Sequence, residues 1–134
     1  MHEFRLAIRV YYEDTDAAGI VYHANYLKYM ERARTEWLRG IGFEQDDLAR
    51  RFGIAFVVRD AELEFLRAAR FNDEVMSICR ITRIGRATVE FAQSVVAGDT
   101  VLCLGQIRVG CVDFRAMAAK RIPQEIYMRI KDEC

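Results

Sequence analysis

The sequence predicts an α+β domain in which a curved antiparallel sheet of about five strands wraps one long central helix. Three observations predict it. An alternating apolar stretch opens the chain, a single helical stripe follows between residues 22 and 40, and the second half is strand-like sequence broken by short glycine turns. Strands joined by short turns are antiparallel neighbours. The one long apolar helix must bury itself against the sheet, because no second helix is long enough to cover it.

Each element follows in order. Phe4, Leu6, Ile8, Val10 and Tyr12 alternate with Arg5, Arg9 and Glu13, the pattern of a half-buried strand over residues 4–13. Asp14 to Gly19 has the composition of a turn. From Tyr22 to Gly40 the period changes, and Tyr26, Met30, Ala33, Trp37 and Ile41 fall on one helical face. Met30 and Trp37 are expected in the core or in a pocket wall. Arg32 with Glu36, and Glu31 with Arg34, are spaced as local ion pairs. Gly40 and Gly42 end the helix. Glu44 to Phe52 reads as a short polar helix closed by Gly53.

Ala61, Leu63 and Phe65 alternate with Asp60, Glu62 and Glu64, and Val75 to Ile84, Ala87 to Ala97 and Val101 to Phe114 read as further strands. Gly98-Asp99 suits a two-residue hairpin. Gly105 and Gly110 suggest bends or bulges in the last strand. Pro123 opens a short terminal helix. The opposite sheet face carries more Val, Ile and Cys than a solvent face needs, so a homodimer or larger homo-oligomer is expected.

Composition narrows the function. The 134 residues suit one domain spanning residues 1–134. Twenty Lys and Arg balance 20 Asp and Glu, so no net field attracts nucleic acid. Hydrophobic residues at 52% exclude disorder. No apolar run approaches the ~20 residues of a membrane span, and Met1 to Arg9 lacks a signal-peptide pattern, so a cytoplasmic location is expected. Cys79, Cys103, Cys111 and Cys134 form no CxxC pair and are expected to be reduced thiols. All but three basic residues are arginine, which suits planar contacts to phosphate and carboxylate and equally suits a GC-rich genome.

The chemistry concentrates between Tyr12 and Tyr26. Asp14 and Asp16 lie in a loop leading into the N-terminus of the central helix. A helix N-terminus offers unpaired N–H groups and partial positive charge, which can hold a developing oxyanion. A carboxylate beside it can act as general base or nucleophile. The same two aspartates also read as turn and capping residues. A metal site on Asp14, Asp16 and His23 lacks further ligands, so no metal is expected.

The run Asp14-Thr15-Asp16-Ala17-Ala18-Gly19-Ile20-Val21-Tyr22-His23-Ala24-Asn25-Tyr26, followed by Met30-Glu31-Arg32-Ala33-Arg34, resembles the YbgC/4-hydroxybenzoyl-CoA thioesterase family of hotdog-fold enzymes. The resemblance implies hydrolysis of acyl-CoA thioesters by a homodimer or homotetramer, with sites at the subunit interface. It needs no separate cofactor, coenzyme A being part of the substrate. It implies Asp16 as catalytic carboxylate, the main-chain N–H of His23 as oxyanion donor, and a structural Asp14. Arg86, with Arg83 as a substitute, matches the hairpin that meets the CoA phosphates. The His23 side chain either orients substrate or packs at the helix start. Tyr22, Asn25 and Tyr26 either line the acyl pocket or serve the backbone and core. Glu31 reads as an ion-pair partner. The competing readings are a hotdog scaffold docking acyl carrier protein or partners of the Tol-Pal envelope system, and a thioester dehydratase, whose usual His motif is missing.

Overall fold

The structure, a computed structural model, describes residues 2–134. In chain order the elements are β1 (Phe4–Arg9), α1 (Asn25–Gly40), α2 (Gln45–Asp47, running into one wider turn at Leu48–Phe52), β2 (Ile54–Phe65), β3 (Glu74–Ile84), β4 (Thr88–Ala97), β5 (Thr100–Asp113) and α3 (Gln124–Lys131). The five strands form one antiparallel sheet in the order β1-β3-β4-β5-β2. The expected α+β architecture is present.

The helical stripe holds. Tyr26, Met30, Ala33, Trp37 and Ile41 are buried, and Tyr29 and Leu38 join them. The helix starts at Asn25 rather than Tyr22, because residues 22–24 form a tighter turn in which Asn25 N–H donates to the Tyr22 carbonyl at 2.8 Å. Two buried polar side chains tie the helix to the sheet. Ser77 Oγ donates to the Tyr29 carbonyl at 2.8 Å, and Gln93 Nε2 donates to the Met30 carbonyl at 3.0 Å. Each satisfies its own burial on a helix carbonyl.

Four expectations change. First, β1 ends at Arg9, where Val10 exchanges backbone hydrogen bonds with Asp73 and Asn72 and the chain turns away. Tyr12 therefore sits in a 3-10 turn, 80% exposed, instead of on the core face. Second, the register runs unbroken through Gly105 and Gly110, and the bulges fall at Val58/Asp60, Ile81/Arg83 and Val95/Val96. Gly105 is small because the Met30 thioether packs on it: a Cβ there would stand 2.9 Å from Met30 Sδ. Third, β2 begins at Ile54 and is an edge strand, so Ala61 and Phe65 stay exposed. Fourth, Cys79, Cys103 and Cys111 lie in the core rather than on the opposite face, as free thiols. Burial pushes the Cys79 thiol up to about 12 and the other two up to about 11. What remains half-covered on the outer face is led by Met76, Ile78 and Val96.

The short helix closes at Gly53, whose φ of +67° is the left-handed cap a glycine tolerates. Pro123 stands at the start of α3, which buries Ile126 and Ile130. Among the described residues, no helix is long and apolar enough to cross a membrane.

Candidate active site

The loop between β1 and α1 is pinned by Asp14. Its side chain is buried, and Oδ2 accepts from Tyr11 N–H at 2.8 Å. Its carbonyl accepts twice, from Tyr22 N–H at 2.9 Å and from Asn25 Nδ2 at 2.7 Å. Asn25, itself only 6% exposed, thus fastens the loop to the first turn of α1. The Tyr29 hydroxyl is sealed beside Asp14 without a well-formed hydrogen bond, and burial, then Asp14, push its ionisation well above the ordinary phenol range.

Asp16 is the opposite case. It is exposed. Its N–H donates to the Ile20 carbonyl at 3.0 Å, and its carbonyl accepts from Gly19 N–H at 2.9 Å, closing a tight turn. Gly19 has a φ of +79°, which that turn requires and a side chain would strain. Asp16 Oδ1 accepts from Ala18 N–H at 2.9 Å. Oδ2 has no protein partner among the described residues and faces a cleft lined by Tyr12, Thr15, Ala17, Gly19 and Phe71.

His23 lies one turn further on. Its N–H and that of Ala24 donate to no group among the described residues, whereas Tyr22, Asn25 and Tyr26 N–H all have acceptors. Its ring stacks against Tyr22 at 4.5 Å and meets Phe65 edge-on at 5.9 Å. His23 lines a second cleft with Ile20, Tyr26, Phe65, Leu66 and Arg67. Arg67 was not singled out in the sequence and is a cation beside that cleft. The Tyr26 hydroxyl is occupied, accepting from Ala69 N–H at 3.1 Å, and burial raises its pKa. In one chain, then, Asp16 and His23 line two separate clefts.

Arg83 and Arg86 are elsewhere. The loop is stitched to the beginning of β3 by the Ile20–Arg70 bridge and the Val10–Asp73 bond. Arg83 and Arg86 stand at its other end, roughly 33 Å away for a strand of 11 residues. Arg83 faces Glu90 at 3.8 Å. A single chain does not bring these arginines to Asp16.

The ion pairs expected along α1 also rearrange. Glu36 pairs with Arg39 and not Arg32, whose guanidinium lies 5.8 Å from the Tyr29 ring centre. Arg34 turns inward to Gln93, and Glu31 instead accepts from Thr35 Oγ1 at 3.3 Å. Among the described residues, no three His, Cys, Asp or Glu side chains gather as metal ligands.

Residues 18–104 match the model of the Thioesterase superfamily. The chain belongs to that superfamily. It is 42% identical over 130 residues to the acyl-CoA thioester hydrolase YbgC of Escherichia coli O6:H1, covering 96% of each chain. It is 39% identical over 123 residues to the acyl-CoA thioesterase YbgC of Haemophilus influenzae, covering 92% of this chain and 90% of that one. Among solved structures, a probable thioesterase from Bartonella henselae superposes with a TM-score of 0.86 at 32% identity, covering 91% of this chain and 100% of the other. The sheet curved around one helix is accordingly a hotdog fold.

Proposed function

We propose that the protein hydrolyses acyl-CoA thioesters, with Asp16 as the reacting carboxylate and the His23 amide as oxyanion donor. One observation carries this: beside the start of α1, the Asp16 Oδ2 and the His23 N–H are both left without partners among the described residues. The thioester oxygen takes the His23 N–H as charge develops on it, helped by the positive end of α1. Asp16 draws the proton from a water that attacks the carbonyl carbon, or attacks it directly to form an anhydride that water then opens. In both routes the C–S bond breaks and the CoA thiolate leaves and is protonated.

The site is completed by a second copy. β2 has one edge without a partner strand, and an exposed edge is a template for pairing. Antiparallel pairing of two β2 strands about a two-fold axis exchanges their ends. It carries Arg83 and Arg86 of one copy toward the Asp16 loop of the other, where they meet the CoA phosphates. Tyr22 and the ring of Tyr26 then flank the acyl end, while Asn25 serves the loop. Relatives named as YbgC acyl-CoA thioesterases support this substrate class.

The test is Asp16→Asn. Thiol release from a panel of acyl-CoA substrates, with an acyl carrier protein thioester included, falls by about 10²–10⁴-fold while the melting temperature holds. Hydrolysis at the native rate overturns the assignment. Single-turnover hydrolysis in ¹⁸O-water followed by mass analysis of Asp16 separates the routes, because only the anhydride leaves label on the enzyme.

A further inference from the structure

A cavity of about 150 Å³ lies between α1 and the Ile84 end of the sheet, and nothing above uses it. Its walls are mainly Trp37, Leu38, Phe56, Val89, Phe91 and Val109. An apolar cavity of that size takes a benzene-sized guest, about six carbon atoms. The lining also holds one cation, Arg34, and at its rim one exposed carboxylate, Glu31.

Arg34 is held firmly but makes no direct ion pair. Its Nη1 donates to Gln93 Oε1 at 2.7 Å, and Gln93 is buried and locked by its own bond to the Met30 carbonyl. No carboxylate pairs with Arg34 among the described residues. Glu31, one turn back, acts on it only at range and is itself exposed to solvent. Burial disfavours the charged form of Arg34, yet a guanidinium does not give up its proton in a protein. None of its nitrogens is both sealed and unbonded among the described residues, and its side chain lines the cavity. A guanidinium in an apolar wall calls for an anion, and a carboxylate fits its fork.

We propose that Arg34 reads a carboxylate at the far end of a short acyl group, so that the substrates are thioesters of diacids of about four to six carbons. The inference rests on the thioesterase reading and on β2 pairing, which lays the cavity of one copy beside the Asp16 loop of the other. The apolar walls take the methylene chain, and Arg34 selects against an acyl group ending in methyl.

The test compares glutaryl-CoA with valeryl-CoA, which share a five-carbon chain and differ in a terminal carboxylate or methyl. The kcat/KM ratio, corrected for spontaneous hydrolysis, favours glutaryl by at least about tenfold in the wild type. Arg34→Met collapses that ratio, and Arg34→Lys restores part of it. If Arg34→Met does not fold, Arg34→Gln is read the same way. A wild-type ratio near one, or a ratio unchanged by the substitution, overturns the proposal. So does a drop in assembled mass by light scattering, which makes Arg34 a contact between copies. If neither thioester is hydrolysed, the diacid substrate class is overturned, the acyl-CoA panel decides the thioesterase reading, and calorimetry decides the cavity. Free glutarate binding more tightly than valerate, with the difference lost in Arg34→Met, upholds the carboxylate site, and equal binding removes it.

Discussion

At the Glu74 end of the sheet an exposed carboxylate and an amide without a partner among the described residues sit on a loop tied by backbone hydrogen bonds, whereas the Ile84 end has two exposed arginines and an apolar cavity. The first end has a free carboxylate and a free amide on open clefts. The second has an apolar cavity whose lining carries Arg34 and Glu31. The difference teaches that the two ends of one copy are unlike, and the β2 pairing proposed above would put opposite ends side by side, making one site from both.

Mixing two crippled chains tests that arrangement most directly. Asp16→Asn alone and Arg83→Ala/Arg86→Ala alone each lose activity at subsaturating substrate. After co-refolding at equal amounts, half of the dimers are mixed, and each mixed dimer holds one intact site. Activity then returns to about a quarter of the wild-type value. No recovery means that the arginines serve their own chain's Asp16, or nothing.

The pins at the two ends give the next effects. Asn25→Ala removes the buried bond to the Asp14 carbonyl and costs about 1–3 kcal/mol, read by urea unfolding. It also lowers kcat more than it raises KM, since it loosens the loop that carries Asp16. A stability loss with unchanged kcat would separate the pin from the chemistry. At the other end, Asp113 accepts from Arg115 and Ala116 N–H at 3.0 and 2.8 Å, and those bonds hold its carboxyl below the ordinary value of 3.8. A depressed carboxylate stabilises the fold above that pH, and the contribution fades as acid protonates it. Asp113→Asn therefore lowers the melting temperature slightly at pH 7, and the gap to wild type narrows below about pH 4. A gap that persists in acid assigns the effect to packing. Hydrolysis at saturating substrate is unaffected.

Much of this was legible from residue order alone. The α1 stripe is readable because five apolar residues repeat with the helical period within one stretch of chain, whichever strands later cover them. The Asp14–Tyr26 run is readable as a reactive loop, but spacing does not say which aspartate is free. Burial decides that, through Tyr11, Tyr22 and Asn25. Arg34 was not legible: three residues from Glu31 it passes for half of a surface pair, and Gln93, 59 positions on, turns it inward. Tyr12 and Phe65 misled because aromatic residues at strand ends continue the alternation after the sheet has stopped covering them.

The seating of Met30 on Gly105 bears on how such a chain can change over generations. A methyl group at position 105 would meet the Met30 sulfur at 2.9 Å, so the end of that flexible, buried side chain must shift to admit it and the two positions are coupled. Shrinking the methionine first opens a void that an alanine at 105 can then fill, while the reverse order passes through an overcrowded intermediate. Lineages that exchange this pair therefore have a preferred direction of travel, set by one thioether lying on a bare backbone.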